Sequence, residues 1–530
     1  MSIDNILHSF RGIPYDGDNS SGLTNLTLAN DTIYGITYTG GTIPFNPFGT
    51  IFKINPDGTG YTVLYSISIV ETQGINFSGQ VVLVNSILYG TLLIGPVSPP
   101  GFNNGVIFSV NTDGTNYQNL HYFGAANDGS RPLGGIVLYS STLYGTTQNG
   151  NGTSANGTVF KIQTDQTGYT ILYAFQGGSD GAIPECTVVV SPDGSFLYGV
   201  TSIGGTGSVG TIFKVDTVDG SQYQKLYDFQ GGSDGANPIA SLILGTDGFL
   251  YGVTNAGGSA NLGTVFKINT DGTGYNIIYN FQGIALGDGA NPQGSLVLGT
   301  GDTLYGTTSN GGTANLGTRF KINTNGTGYK KLYDFQGGSS DGANPQSNLI
   351  VYNDNLIGMT NLGGTYNLGT IYSGSIPAPP VSNICFPAGT PVKTDQGIVP
   401  IEYIDITYHT INQKEIKCVT ETRTIDRFLV RFKKNSLGMN YPYKDTIMTK
   451  DHKVKHNGKL LPAMHFAKRF SNVTFVKYRG EILYNVLLEN YSTMNINNLI
   501  CETLHPDNII AKLYTNRFTE EYNHKVVDVM

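Results

Sequence analysis

Residues 263–275 read GTVFKINTDGTGY. This stretch is one member of a series. The same frame sets Phe at 52, 108, 160, 213, 266 and 320 and Tyr at 372, with steps of 56, 52, 53, 53, 54 and 52 residues. A second element, LYG, recurs with Tyr34, Tyr89, Tyr144, Tyr198, Tyr251 and Tyr305, and Leu356-Ile357-Gly358 takes its place last. A third, of LYxF type, runs from LHSF ending at Phe10 to LYDF ending at Phe335. Each unit thus reads as four short segments of alternating apolar and polar residues. Asp-Gly, Asn-Gly and Gly-Gly turns separate them, and helical periodicity is absent. Four strands in a unit of about 50 residues is the pattern of a propeller blade. The expected fold is therefore all-β, with a seven-bladed propeller over residues 1–374 and four strands per blade. The phase of the repeat adds a detail. The chain opens on an LYxF-type strand, IDNILHSF, and the seventh unit ends after GTIYSG before another can follow. The N-terminal strand is expected to complete the last blade, which removes two open sheet edges.

These units resemble the Gly-rich tandem repeats called GloVer repeats, found in predicted secreted bacterial proteins, over residues 7–374. The resemblance rests on GTVFKINTDGTGY and LYGTTSNGG. It implies a propeller scaffold whose ligand, a protein or a glycan, is unknown. A loop element, SDGANP and its variants, repeats an acid at Asp180, Asp234, Asp288 and Asp341. Such a ring of carboxylates can line one face and hold a cation or a sugar hydroxyl. Asp-Gly followed by Asn-Pro is also ordinary turn chemistry, and a calcium loop needs several closely spaced carboxylates, so the turn is favoured. The strict period of the LYG tyrosines points to packing between blades.

Composition divides the chain in two. Residues 1–380 hold 11 Lys and Arg against 23 Asp and Glu, and residues 381–530 hold 20 against 15. Six of eight histidines and three of four cysteines also follow residue 380. Widely spread cysteines exclude a disulfide framework, and no CxxC pair suggests zinc. No stretch has the length or apolarity of a membrane span, and no signal peptide is visible. Charge without interleaved aromatic platforms gives no nucleic-acid interface. His452, His456 and His465 lack paired acids or thiolates, so neither metal nor cofactor is expected.

After a Pro-rich linker at 375–384, SIPAPPVSNI, the sequence changes character. Val, Ile and Thr now alternate with charged residues, and the region is β-rich without repeating. CFPAGTPVKTDQGIVPIEYI, beginning at Cys385, resembles the first block of a Hint domain, the self-processing module of hedgehog proteins and inteins, with its Cys, GT and PIE strand. MTKDHKV matches the family's T-x-x-H through Thr449 and His452. YNVLLENYSTMNINNLICETLHPDN resembles the closing strands of Hint domains, including those of large DNA viruses. The resemblance places an all-β Hint domain at 385–510, followed by a tail at 511–530.

What the resemblance implies is an autocatalytic cleavage at Ile384–Cys385. The Cys385 thiolate attacks the carbonyl of Ile384, His452 protonates the departing amine, and Thr449 orients the scissile amide. Water, a thiol or an amine then takes the acyl group from the thioester, separating the propeller from the rest. Ile384 is β-branched and slows that last attack, so a helper thiol is expected to matter. In His505-Pro506-Asp507-Asn508-Ile509 the Asn has no adjacent His and no following nucleophile, which disfavours full protein splicing. Only 22 residues follow Asn508, too few for a sterol-recognition segment. Cys418 and Cys501 read as buried thiols in preference to a disulfide. The alternative reading is a non-catalytic binding or structural protein of a virion or extracellular surface, with a degenerate Hint domain.

Overall fold

The computed structural model describes residues 5–376 except 19–23, 43–47, 68–74, 96–103, 126–127, 151–155 and 300–301. It also describes 386–502 except 406, 424–427, 438–441, 443–444, 450–451, 457–458, 468, 478–482, 489–492 and 497–498, together with 526–528. Two compact units result, Met1–Ile376 and Pro377–Met530. Ile376 thus closes the first unit, two residues beyond the expected boundary. It packs with the last core cluster and donates its N–H to the Asp354 carbonyl at 2.7 Å.

The first unit is a repeat β-propeller, with seven antiparallel four-stranded sheets among its described residues. One sheet shows why the sequence repeats as it does. Ile243–Leu244, Phe249–Thr254, Thr264–Asn269 and Asn276–Asn280 follow one another in order across it. Gly252 of LYG lies opposite Phe266, whose ring covers it; a Cβ there would meet Phe266 Cζ at 2.5 Å. The glycine is needed for that close approach, and Gly90 and Phe108, Gly145 and Phe160, and Gly306 and Phe320 repeat the arrangement at 2.6 Å. Beside them the hydroxyls of Thr254 and Thr264 bond across the strands at 2.8 Å. In the DGTGY turn, Asp271 accepts the N–H and hydroxyl of Thr273 at 2.9 and 2.7 Å.

Neighbouring sheets are joined by aromatic stacking. The Tyr of LYxF in one unit lies on the Tyr of DGTGY in the next: Tyr173 on Tyr223 at 3.6 Å, Tyr227 on Tyr275 at 3.8 Å, Tyr279 on Tyr329 at 3.6 Å. His8 on Tyr61 and His121 on Tyr169 repeat the stack at 3.6 and 3.8 Å. Thr187 N–H also donates to Ser241 Oγ and Ser241 N–H to Ser295 Oγ, both at 3.0 Å. The first and last sheets are tied by the same device. Asn348 N–H donates to Asn25 Oδ1 at 2.8 Å, and Leu26 N–H donates to Asn348 Oδ1 at 3.0 Å. Phe10, Leu26, Ile33 and Phe52 share one core with Ile350, Ile357, Met359 and Ile371. Strand Asn5–Ser9 pairs with Thr370–Ser375 and completes the last sheet, as the phase of the repeat requires. One residue breaks the apolar pattern. Arg319 is fully buried where other units carry Ile or Val, with the rings of Tyr333 and Tyr372 at 5.7 and 6.0 Å.

The DGTGY turns carry a pH prediction. Thr hydroxyl and N–H donors hold Asp57, Asp113, Asp165 and Asp271 below the usual carboxylate range, and similar bonds from Ser191 and Ser195 take Asp193 to about 2. A depressed folded pKa gives stability that is present above the unfolded value and lost as pH falls through the folded one. Burial raises Asp341 and Glu185, which contribute in the opposite sense, whereas Asp216 is lowered as well, so six groups outnumber two. Thermal melting of the first unit should therefore fall between about pH 4 and pH 2. Asn325 makes the same bond to Thr327 N–H at 2.9 Å without a charge. Replacing Asp57, Asp113, Asp165 and Asp271 with Asn should lower the neutral-pH melting point modestly and flatten the acid loss. An equally steep loss in that variant would place the acid sensitivity elsewhere.

Among its described residues the second unit is also all-β, apart from the short helix Ala463–Ala467 and one 3-10 turn. Its six-stranded sheet runs Gly397–Pro400, Pro391–Thr394, Thr493–Ile496, Leu499–Glu502, Lys453–His456 and Lys459–Pro462. A second sheet begins with Phe386–Pro387 beside Leu483–Leu488 and continues through Lys414–Arg423. A third holds Thr446–Met448, Phe428–Phe432 and Val473–Lys477. One core joins Phe386, Val392, Val430, Met448, Val454 and Cys501. Within the expected tail, Val526–Asp528 lie parallel to Glu421–Arg423.

Candidate functional site

Thr449 follows the strand Thr446–Met448, and His452 precedes Lys453–His456, so the two stand where one sheet hands the chain to another. Both are fully buried. The turn between them closes through His452 N–H to the Thr449 carbonyl at 3.3 Å, and the His452 carbonyl accepts Ala463 N–H at 2.7 Å. The His452 backbone is thus held on both sides. Its ring meets that of Phe386 edge-on, with centroids 4.1 Å apart and planes at 60°. Phe386 is itself fully buried and pairs with Tyr484 across the sheet.

The residues after Phe386 form a rigid corner. Thr390 Oγ1 donates to the Pro387 carbonyl at 2.6 Å, and Gly389 takes φ +76°, a conformation that suits glycine. The Gly389 N–H donates to the Glu402 carboxylate at 2.8 Å, and Ile401 N–H to the Thr390 carbonyl at 2.9 Å. The PIE segment corrects its expected conformation here. The strand stops at Pro400 and Ile401–Tyr403 turn as a 3-10 helix, which is what swings Glu402 back onto Gly389. The Gly, Thr and Glu of the first block therefore brace the segment that leaves Phe386.

Cys385 and Ile384 lie outside the described residues, as do most of the linker and the stretch 503–510. The structure brings the His452 ring against Phe386, the residue that follows Cys385 in the chain, and Thr449 is linked to His452 through the backbone. Cys418 sits in the sheet holding Lys414–Arg423, whereas Cys501 is buried in the six-stranded sheet opposite Val454. His456 packs edge-on against Phe466 and Phe470, at 5.9 and 5.7 Å. No group of three His, Cys, Asp or Glu side chains that could hold a metal gathers among the described residues. None of the described helices is long and apolar enough to cross a membrane.

In the first unit the repeated loop acids are committed to structure. Asp234 accepts the Tyr227 hydroxyl at 3.0 Å and Gln230 N–H at 2.8 Å. Asp180 accepts the Tyr173 hydroxyl, and Asp288 the Tyr279 hydroxyl, both at 2.9 Å. Asp341 accepts the N–H groups of Gln336 and Gly342 at 2.6 and 2.7 Å. His8 and His121 stand in for the Tyr at Asp16 and Asp128, at 2.8 and 2.9 Å. These carboxylates pin each loop to the aromatic stack. The signal that would have revealed this is the recurrence of an acid seven to nine residues after the ring, seven at Tyr173 and Tyr227 and nine at Tyr279.

The chain is similar to an oligogalacturonate lyase from Vibrio parahaemolyticus at 13% identity, covering 70% of this chain and 93% of that one with a TM-score of 0.46. It is also similar to a puromycin-hydrolyzing peptidase of Mycobacterium tuberculosis at 10% identity, covering 68% and 53% with a TM-score of 0.41. No curated protein matches it. The profile of the Gloeobacter/Verrucomicrobia repeat matches residues 2–196, 96–301 and 151–372 in overlapping spans. Those spans cover well over half of the sequence, and the chain belongs to the Gloeobacter/Verrucomicrobia repeat family.

Proposed function

We propose that the seven sheets are the blades of one closed ring, and that the second unit is a Hint domain that cuts the chain at Ile384–Cys385. The reading is carried by one observation: the His452 ring, buried beside Thr449, lies 4.1 Å from the ring of Phe386, the residue after the proposed nucleophile. In the first step the Cys385 sulfur forms a bond to the Ile384 carbonyl carbon. The bond from that carbon to the Cys385 nitrogen breaks, and the proton given up by the thiol reaches the departing amine through the His452 imidazole. In the second step water, a thiol or an amine takes the acyl group and returns the Cys385 thiol. The product is a free propeller of 384 residues, delivered as an acid, a thioester or an amide.

Full-length protein incubated with dithiothreitol should yield two fragments, and Cys385→Ala should stay intact. Cysteine supplies the only nucleophile of the first step, so the expected loss is complete. A Cys385→Ala chain that cuts at the same bond would leave no role for the sulfur.

A further inference from the structure

Six repeats of the first unit set one non-glycine residue in left-handed backbone at the entry to their first strand: Asn76, Arg131, Ile183, Asn237, Asn291 and Asn344, with φ from 52 to 61°. The frame imposes this conformation. The N–H of each donates to a carbonyl of the preceding repeat, as Ile183 does to Asn156 at 3.0 Å and Asn291 to Leu262 at 2.8 Å. Four of the six are asparagine, which tolerates positive φ better than most side chains. Three of these also use the amide: Nδ2 of Asn76, Asn291 and Asn344 donates to the carbonyls of Tyr38, Asn255 and Ser309 in the preceding repeat, at 3.2, 3.0 and 3.0 Å. Asparagine is thus what the packing asks for.

Arg131 and Ile183 depart from this rule, and they stand in consecutive repeats. A β-branched side chain is strained at φ 58°, and isoleucine has no donor to offer the neighbouring repeat. Strain that a fold retains without a packing reason marks a functional position. The surroundings of Ile183 show which function. Ile203, paired with Ala182, is 42% exposed, and Arg131 is exposed as well. Burial pushes the Glu185 carboxyl up, and the Arg131 guanidinium is among the groups opposing it, so Arg131 reaches toward the residue two after Ile183. Glu185 also accepts Gln148 Nε2 at 2.8 Å. A guanidinium has five N–H donors, and one turned to Glu185 keeps others for a carboxylate from outside.

We propose that Arg131, Ile183 and Ile203 form a docking surface for the C-terminal residue of a peptide ending in Ile, Leu or Val, with the guanidinium taking the carboxylate and the isoleucines the side chain. Residues 1–380 hold 11 Lys and Arg against 23 Asp and Glu, so an exposed arginine beside two aliphatic side chains is the local exception that selects an anion joined to an apolar group. The surface is open. A lone small acid would bury little there, whereas a chain adds contacts along the neighbouring loops. The surface lies in the first unit and does not depend on cleavage in the second.

The test titrates the full-length Cys385→Ala chain by calorimetry with an acetylated five-residue peptide ending in isoleucine, its C-terminal amide, the same peptide ending in serine, and acetyl-isoleucine. The isoleucine acid should bind at millimolar concentration or below, and the other three about tenfold more weakly. Added Arg131→Gln should remove the preference for acid over amide. Added Ile183→Asn should weaken the acid about tenfold while raising the melting point of the first unit by about 1–3 °C, because asparagine relieves the backbone. Arg131→Gln, at an exposed side chain, serves if Ile183→Asn fails to fold. No binding of the acid, acid and amide binding alike, or acetyl-isoleucine as tight as the peptide overturns the proposal. An Ile183→Asn chain that binds fully, or that melts lower, overturns it as well.

Discussion

A His452→Ala chain is expected to cut at Ile384–Cys385 about a hundred- to ten-thousandfold more slowly than the natural sequence. Expulsion of an amine from a tetrahedral centre requires a proton at the nitrogen, and without the imidazole the intermediate returns to the amide. Imidazole suits this task because it exchanges protons near neutrality. The substitution also removes a ring from a fully buried position, so a fall in rate alone could reflect a damaged core. Thr449→Val separates the two causes, because it keeps shape and removes one hydroxyl from the same turn. It should slow cleavage while leaving the melting of the second unit near its natural value. If His452→Ala cleaves at the natural rate, the proton comes from elsewhere and the proposed pairing of Thr449 with His452 is wrong.

Deleting residues 1–10 should unfold the first unit. The deletion removes the outer strand of the last sheet and leaves Thr370–Ser375 as an open edge. It also takes away Phe10, which lies fully buried between the first and last sheets and meets Phe52 edge-on at 5.8 Å. Phe10→Ala alone should cost about 3–5 kcal/mol, a large part of the roughly 5–15 kcal/mol that holds a typical domain together. Denaturant melts of the two variants check this, with Phe10→Ala folded but weakened and the deletion aggregated. A synthetic peptide of residues 1–10 added during refolding should restore the sheet. A deletion variant with natural melting would show that the N-terminal strand does not hold the first unit together.

The repeat was legible because each of its demands falls on one residue type at one spacing. Gly252 must lie under Phe266, Thr254 must face Thr264, and Asp271 must close its turn, so the same letters return at each unit. The role of the SDGANP acids was harder to read, since their partner is a phenol from the preceding strand and becomes an imidazole at His8 and His121. The bonds between the first strands of neighbouring sheets were not visible at all. Ser241 and Ser295 are 54 residues apart and look like ordinary turn serines until the sheets are set side by side. Arg319 breaks the pattern of GTxFKI, and only the structure shows it buried between the rings of Tyr333 and Tyr372. In the second unit Thr449 and His452 stood out as a motif, but Glu402 did not, because its partner Gly389 N–H depends on a turn where a strand was expected.

The most direct test of the account is the mass of the fragments released from purified full-length protein by 2-mercaptoethanesulfonate. Sulfur chemistry at the junction predicts a C-terminal fragment that begins at Cys385 with a free amine, and an N-terminal fragment ending at Ile384 that carries the added thiol as a thioester. An unchanged intact mass after prolonged incubation, or fragments cut at another bond and bearing no thiol, would contradict it.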